Sequence, residues 1–146
     1  MNTHLVRQVG LRATDRCEYC HLPASASPAP FQIDHIIARQ HGVKTELDNL
    51  ALCCIHCNRF KGPNIAGIDK DTGEVVRLFH PRKDIWAEHF RWSGPELIGM
   101  TAVGRVTIRV LFINDEEMQS FRRALLEETG SDLVLLRSQR NRCDPL

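Results

Sequence analysis

Apolar positions fall into short runs separated by strong turn signals. Leu5, Val6, Val9 and Leu11 recur near helical spacing and predict a helix over residues 3–14. Residues 21–30 hold three prolines among small side chains and predict a loop. Residues 31–38 are apolar and β-branched around Asp34-His35, and 49–53 form a second short apolar run, so both predict strands. A polar connection, 39–47, joins them. Residues 55–61 predict a helix that stops at Gly62-Pro63.

Farther on, Asp69 to Gly73 is turn-like and residues 74–79 predict a strand. Residues 85–92 and 96–101 predict strands around Ser93-Gly94-Pro95. Residues 102–113 predict a helix despite their β-branched content. Asn114-Asp115 can cap a helix reaching Thr129, with Gly130 ending it and a last short helix over 131–139. No repeat interrupts this order. The expected class is α+β: a core over residues 1–63, with an α+β extension over 64–146 packed on it.

Composition narrows the setting. Hydrophobic residues make up 42% and charged residues 25%, as in ordinary soluble domains. No apolar run reaches the eighteen or so residues a membrane helix needs, and residues 1–10 lack the apolar centre of a secretory signal. A cytoplasmic protein with no membrane partner is therefore expected. Residues 1–62 carry 7 basic and 5 acidic side chains, and 63–146 carry 12 and 13. This balance counts against tight non-specific DNA binding, which draws on basic excess. It leaves room for a site whose positive charge comes from a metal.

Five of the six cysteines lie in two clusters. Cys17-x-x-Cys20 and Cys54-x-x-Cys57 are two CxxC units separated by 33 residues. Paired CxxC turns brought together supply four tetrahedral thiolates, which makes a closed, structural Zn²⁺ site. A redox CxxC has no need of a second pair. Cys53 is assigned to the core and Cys143 to the tail.

Between the halves of this site lies Ile33-Asp34-His35-Ile36-Ile37, followed by Asp48-Asn49-Leu50 and Cys57-Asn58-Arg59-Phe60-Lys61-Gly62. From Cys17 to Gly62 the chain resembles the HNH endonuclease family, in the subgroup whose ββα-metal core is clipped by two CxxC pairs. The resemblance rests on the DH pair, the Asn fourteen residues after the His, and CxxCNxxKG. It implies a DNA partner and phosphodiester hydrolysis with one divalent cation, Mg²⁺ or Mn²⁺. Asp34 matches the metal-binding carboxylate, His35 the general base, Asn49 the brace of the loop, and Asn58 the second metal ligand. Two departures stand out: Ala38 where the family commonly has proline, and His41-Gly42 where it commonly has Gly-Gly.

The residue types suit that chemistry on their own terms. An imidazole titrates near neutral pH and can activate water. A carboxylate and an amide oxygen are hard ligands fitted to Mg²⁺. Lys61, Arg59, Arg39 and His41 are candidate substrate contacts, and His56, Arg105 and Arg109 weaker ones. Strand alternation sends Asp34 and His35 to opposite faces unless the strand ends, twists or bulges there. On a helix, successive residues diverge by about 100°, so Cys57 can face zinc while Asn58 faces the groove.

Trp86 to Trp92 and Thr101 to Arg105 resemble, more loosely, the tail of a common bacterial HNH group, and bring no catalytic residue. Trp86, Phe90 and Trp92 are expected in the core; His80 and His89 have no partners at ligand spacing. Two other functions compete: a zinc-stabilised DNA-binding module that does not cut, and a structural zinc protein acting through partners. Oligomeric state is left open.

Overall fold

The computed structural model describes residues 1–129. The expected helix over 131–139, the Gly130 stop and Cys143 lie outside these residues. Helix α1 (Thr3–Arg12) begins at Asn2, whose side chain accepts from the backbone N–H groups of His4 and Leu5. The chain then makes the first cysteine turn and the proline-rich loop. Strand β1 (Gln32–His35) pairs antiparallel with β2 (Leu50–Cys53), with Asp34 opposite Ala51 and His35 opposite Leu50. Helix α2 (Ile55–Lys61) follows at once and ends at Gly62, whose φ of 49° places it in the left-handed region. The expected ββα order is present.

Period-two alternation divides the residues of the β1–β2 pair. Ile33, Leu50 and Leu52 pack with Val9 and Ala13 of the α1 region, while Ala51 and Cys53 join the main core. That main core also contains Leu78, Phe79, Trp86, Phe90, Leu97, Val106, Leu111 and Ile113. One continuous apolar cluster thus joins the cysteine-bearing segment to the later elements. Trp86 reinforces the join: its Nε1 donates to the Tyr19 carbonyl at 2.9 Å, and its ring stacks on His21 at 3.9 Å.

Two differences from expectation concern the later segment. Residues 85–92 do not form one strand: α3 (Trp86–His89) is a helical turn, and only β5 (Phe90–Ser93) is extended. Trp86 and Phe90, four apart, both face the core with ring centroids 5.1 Å apart, a helical rather than an alternating relation. A strand unmarked in the sequence, β3 (Ala66–Ile68), pairs with β4 (Val75–Arg77). Its glycine hides it: a Cβ at Gly67 would lie 2.6 Å from Val110 of the helix packed above. That helix is α4 (Ala102–Val110), capped by Thr101. It follows β6 (Glu96–Gly99), the antiparallel partner of β5. Asp115 accepts from Met118 N–H to start α5 (Glu116–Thr129).

Candidate functional site

Cys17 and Cys20 sit on a tight turn closed by the His21 N–H donating to the Cys17 carbonyl at 2.8 Å. Cys54 is the N-cap of α2, and its Sγ accepts from Cys57 N–H at 3.4 Å. These turns bring the four sulfurs within 4.8 Å of one another, all buried. The Cys20 and Cys54 sulfurs are 3.8 Å apart, close to the roughly 3.8 Å edge of a tetrahedron with Zn–S bonds of about 2.3 Å. Cys53 is buried beside the quartet without joining it.

The thiols perturb one another strongly. Burial alone would raise Cys17, but thiol hydrogen bonds from Cys20, Cys53, Cys54 and Cys57 outweigh it and pull Cys17 well below the usual range. Those bonds push Cys54 and Cys57 up. Four buried thiols this close suit a thiophilic dication, which lets all four ionise together. The residues fit zinc with no open position, so the site is structural.

Beside it lies β1, which carries the candidate residues Asp34 and His35. Asp34 and Gln32 are two residues apart on β1 and share the face that α2 crosses. The helix meets them in register. Asn58 Nδ2 donates to Gln32 Oε1 at 2.6 Å, and one turn later Lys61 Nζ reaches Asp34, 3.3 Å from Oδ1 and 3.0 Å from Oδ2. Lys61 therefore faces Asp34, and Asn58 faces a point about 7 Å back along the strand, two residues at 3.3 Å each. Lys61, a candidate substrate contact, is only 1% exposed and is bound inward.

Asp34 is itself buried. Burial raises its carboxyl above the usual range, against the opposing pull of Lys61 and of the Tyr19 hydroxyl, which donates to Oδ2 at 2.8 Å. The donors present, a carboxylate and an amide oxygen, are hard ligands of the kind Mg²⁺ takes. Their arrangement is another matter, because both Asp34 oxygens are engaged by the Lys61 ammonium.

His35 is the last residue of β1, half-buried, with Nε2 2.8 Å from Thr45 Oγ1. Its side of the strand is the α1 side, shared with Ile33, so alternation does separate it from Asp34. The strand ends at this residue. Asn49 is buried and spans the connection: its Oδ1 accepts from Ile37 N–H at 2.9 Å, and its Nδ2 donates to the Ile37 and Lys44 carbonyls at 2.9 and 3.1 Å. These bonds brace the loop that follows the DH pair.

The remaining candidates lie on the surface. Arg39 is exposed, His41 is exposed with Nε2 3.2 Å from the Pro63 carbonyl, and Arg59 is exposed with its guanidinium 5.4 Å from the Phe60 ring centroid. His56 is held 2.8 Å from the Phe112 carbonyl. Arg105 forks onto Asp69 at 3.1 and 3.0 Å, a structural pair rather than a free cation. Two residues the sequence reading passed over matter here. Tyr19 holds Asp34, and Glu18 accepts from Leu52 N–H at 2.8 Å while pairing with Arg82. Both occupy the variable positions of the first CxxC, where spacing carries no signal.

Residues 17–64 match the family model for HNH endonuclease. No curated protein and no solved structure matches the chain. The matched segment is similar to an HNH endonuclease domain and holds four cysteines arranged to bind a metal, on a mixed α+β framework. Among the described residues, no helix is long and apolar enough to cross a membrane.

Proposed function

We propose that this protein is a DNA endonuclease that hydrolyses phosphodiester bonds with His35 as general base. The observation that carries this reading is His35 itself. Its imidazole ends β1 beside Asp34, half-exposed and held by Thr45, inside the segment matched to HNH endonuclease. Imidazole is the side chain most often used as a general base toward water. With a proton on Nε2 donated to Thr45, Nδ1 is the nitrogen left to accept one.

The other residues have supporting parts. Asn49 fixes the loop through three hydrogen bonds and so limits where the end of the strand moves. The cysteine quartet sets the rotation of α2, because Cys54 and Cys57 anchor its first turn and Asn58 follows directly. A bound Mg²⁺ or Mn²⁺ on Asp34 would neutralise charge at the phosphate and at the leaving oxygen; Asn58, held by Gln32, would have to turn toward Asp34 to share the ion. Arg39, Arg59 and His41 are exposed and available to the DNA backbone.

The non-cleaving DNA-binding module remains the second reading, and one observation favours it: Asp34 is already paired to Lys61. Plasmid nicking separates the two. Wild-type protein is expected to nick supercoiled DNA when Mg²⁺ or Mn²⁺ is added, and Asp34→Asn to nick it far more slowly. DNA retention without cleavage in every metal tried would establish the binding module instead.

A further inference from the structure

The Lys61 ammonium has three N–H donors. It lies 3.3 and 3.0 Å from the two Asp34 oxygens and 3.1 Å from the His35 carbonyl, 1% exposed to solvent. Three oxygens, two of them anionic, thus surround one buried positive charge. These are the hard donors that a divalent cation seeks. The pocket around Nζ is chemically a cation site, and the chain fills it with its own side chain. Tyr19 also donates to Oδ2, at 2.8 Å, and so restrains the carboxylate independently of the lysine.

We propose that Lys61 is a resident counter-cation that competes with the divalent metal for Asp34 and must withdraw from the carboxylate when the metal binds. This rests on the nuclease reading above, since it takes Asp34 as a metal ligand. The physical reason is mutual exclusion. A dication coordinates a carboxylate at about 2.1 Å, and an ammonium left within hydrogen-bond distance of the same oxygens faces strong repulsion in a buried setting. Binding energy is therefore spent on expelling the lysine, which lowers apparent metal affinity by the stability of the closed pair. The pair also keeps the buried carboxylate neutralised when no metal is present, which one partner alone would leave uncompensated. Because Nζ also holds the His35 carbonyl, metal entry releases a restraint on the general base's own backbone.

The test measures Mn²⁺ binding to the zinc-loaded protein by electron paramagnetic resonance, for wild type and Lys61→Met. Circular dichroism and zinc content check the fold of the variant. The variant is expected to bind Mn²⁺ at least about tenfold more tightly, the effect of removing a competing closed state. A second readout needs no variant: the rate at which Lys61 of the wild-type protein reacts with an amine-acetylating reagent, followed by peptide mass. Lys61 is expected to be protected without metal and to react faster once Mn²⁺ is saturating. Unchanged or weaker affinity in folded Lys61→Met, or a lysine that stays protected with Mn²⁺ bound, overturns the proposal and leaves the nuclease reading standing. If neither protein binds Mn²⁺ the proposal fails too, and absence of DNA cleavage in the same samples then removes the nuclease reading with it. Should Lys61→Met not fold, the labelling result decides alone.

Discussion

Asn49 illustrates what a single side chain contributes. Its amide meets three backbone groups of the 36–44 connection, and it is nearly inaccessible to water. Asn49→Ala leaves those groups to find other partners, so a loss of about 1–3 kcal/mol in urea unfolding is expected. Asp34→Ala is expected to cost more, about 3–5 kcal/mol, because it removes the buried carboxylate that neutralises the Lys61 ammonium. Thermal and urea melts of the two variants check this order; an Asp34→Ala variant as stable as wild type would contradict a stabilising pair. Spacing singled out Asp34, His35, Asn49 and Asn58 as candidates, but it did not show that Asn58 meets Gln32 rather than Asp34. The inward turn of Lys61 was not legible either. A lysine is exposed by default, and only the register of α2 on β1 puts Asp34 beneath it.

The later elements are held by close backbone approaches and by one anchored turn. A Cβ at Gly104 would lie 2.2 Å from the His89 carbonyl oxygen, so α4 sits against the α3–β5 corner with no room for a side chain. Gly104→Ala is expected to destabilise by about 1–3 kcal/mol or more, as overpacking does; a neutral effect in urea unfolding would show that the corner yields freely. The β3–β4 turn depends on Asp69, which Arg105 grips with two hydrogen bonds, holding its carboxyl below the usual range. A carboxyl with a depressed folded pKa stabilises above its unfolded value, near 3.9, and that contribution disappears as pH falls through the folded value. Asp69→Asn is therefore expected to lower the melting temperature at neutral pH, with the gap to wild type closing in acid below pH about 4. A gap that persists unchanged in strong acid would contradict the pairing. The start of α5 was readable from Asn114-Asp115, whereas the caps at Asn2 and Thr101 were seen only in the structure. Strand β3 was not readable, since Gly67 is there for the approach of Val110 rather than for strand propensity, and α3 was taken for strand because its aromatic residues suit either period.

Across the whole molecule, the cysteine quartet and the apolar core are one structure. Cys17, Cys20, Cys54 and Cys57 belong to the same buried cluster as Trp86, Phe90 and Leu111. Zinc loss should therefore be felt far beyond the CxxC turns. Cys17→Ser, or a strong chelator on the wild type, is expected to abolish near-ultraviolet circular dichroism throughout; a chelated protein with intact tertiary signal would contradict a stapling role. The paired CxxC units revealed this site because two ligand pairs specify an ion directly. The docking of the later segment onto it, through Trp86, His21 and Arg82, rests on contacts more than sixty residues apart that no local pattern encodes. The most direct test of the account is the single-turnover rate at which zinc-loaded protein cuts plasmid DNA in Mg²⁺, wild type against His35→Ala. The expected result is cleavage by wild type and a loss of about 10²–10⁴-fold in the variant, the range for a removed general base, with zinc content and melting temperature unchanged. Equal rates from the two proteins would contradict it.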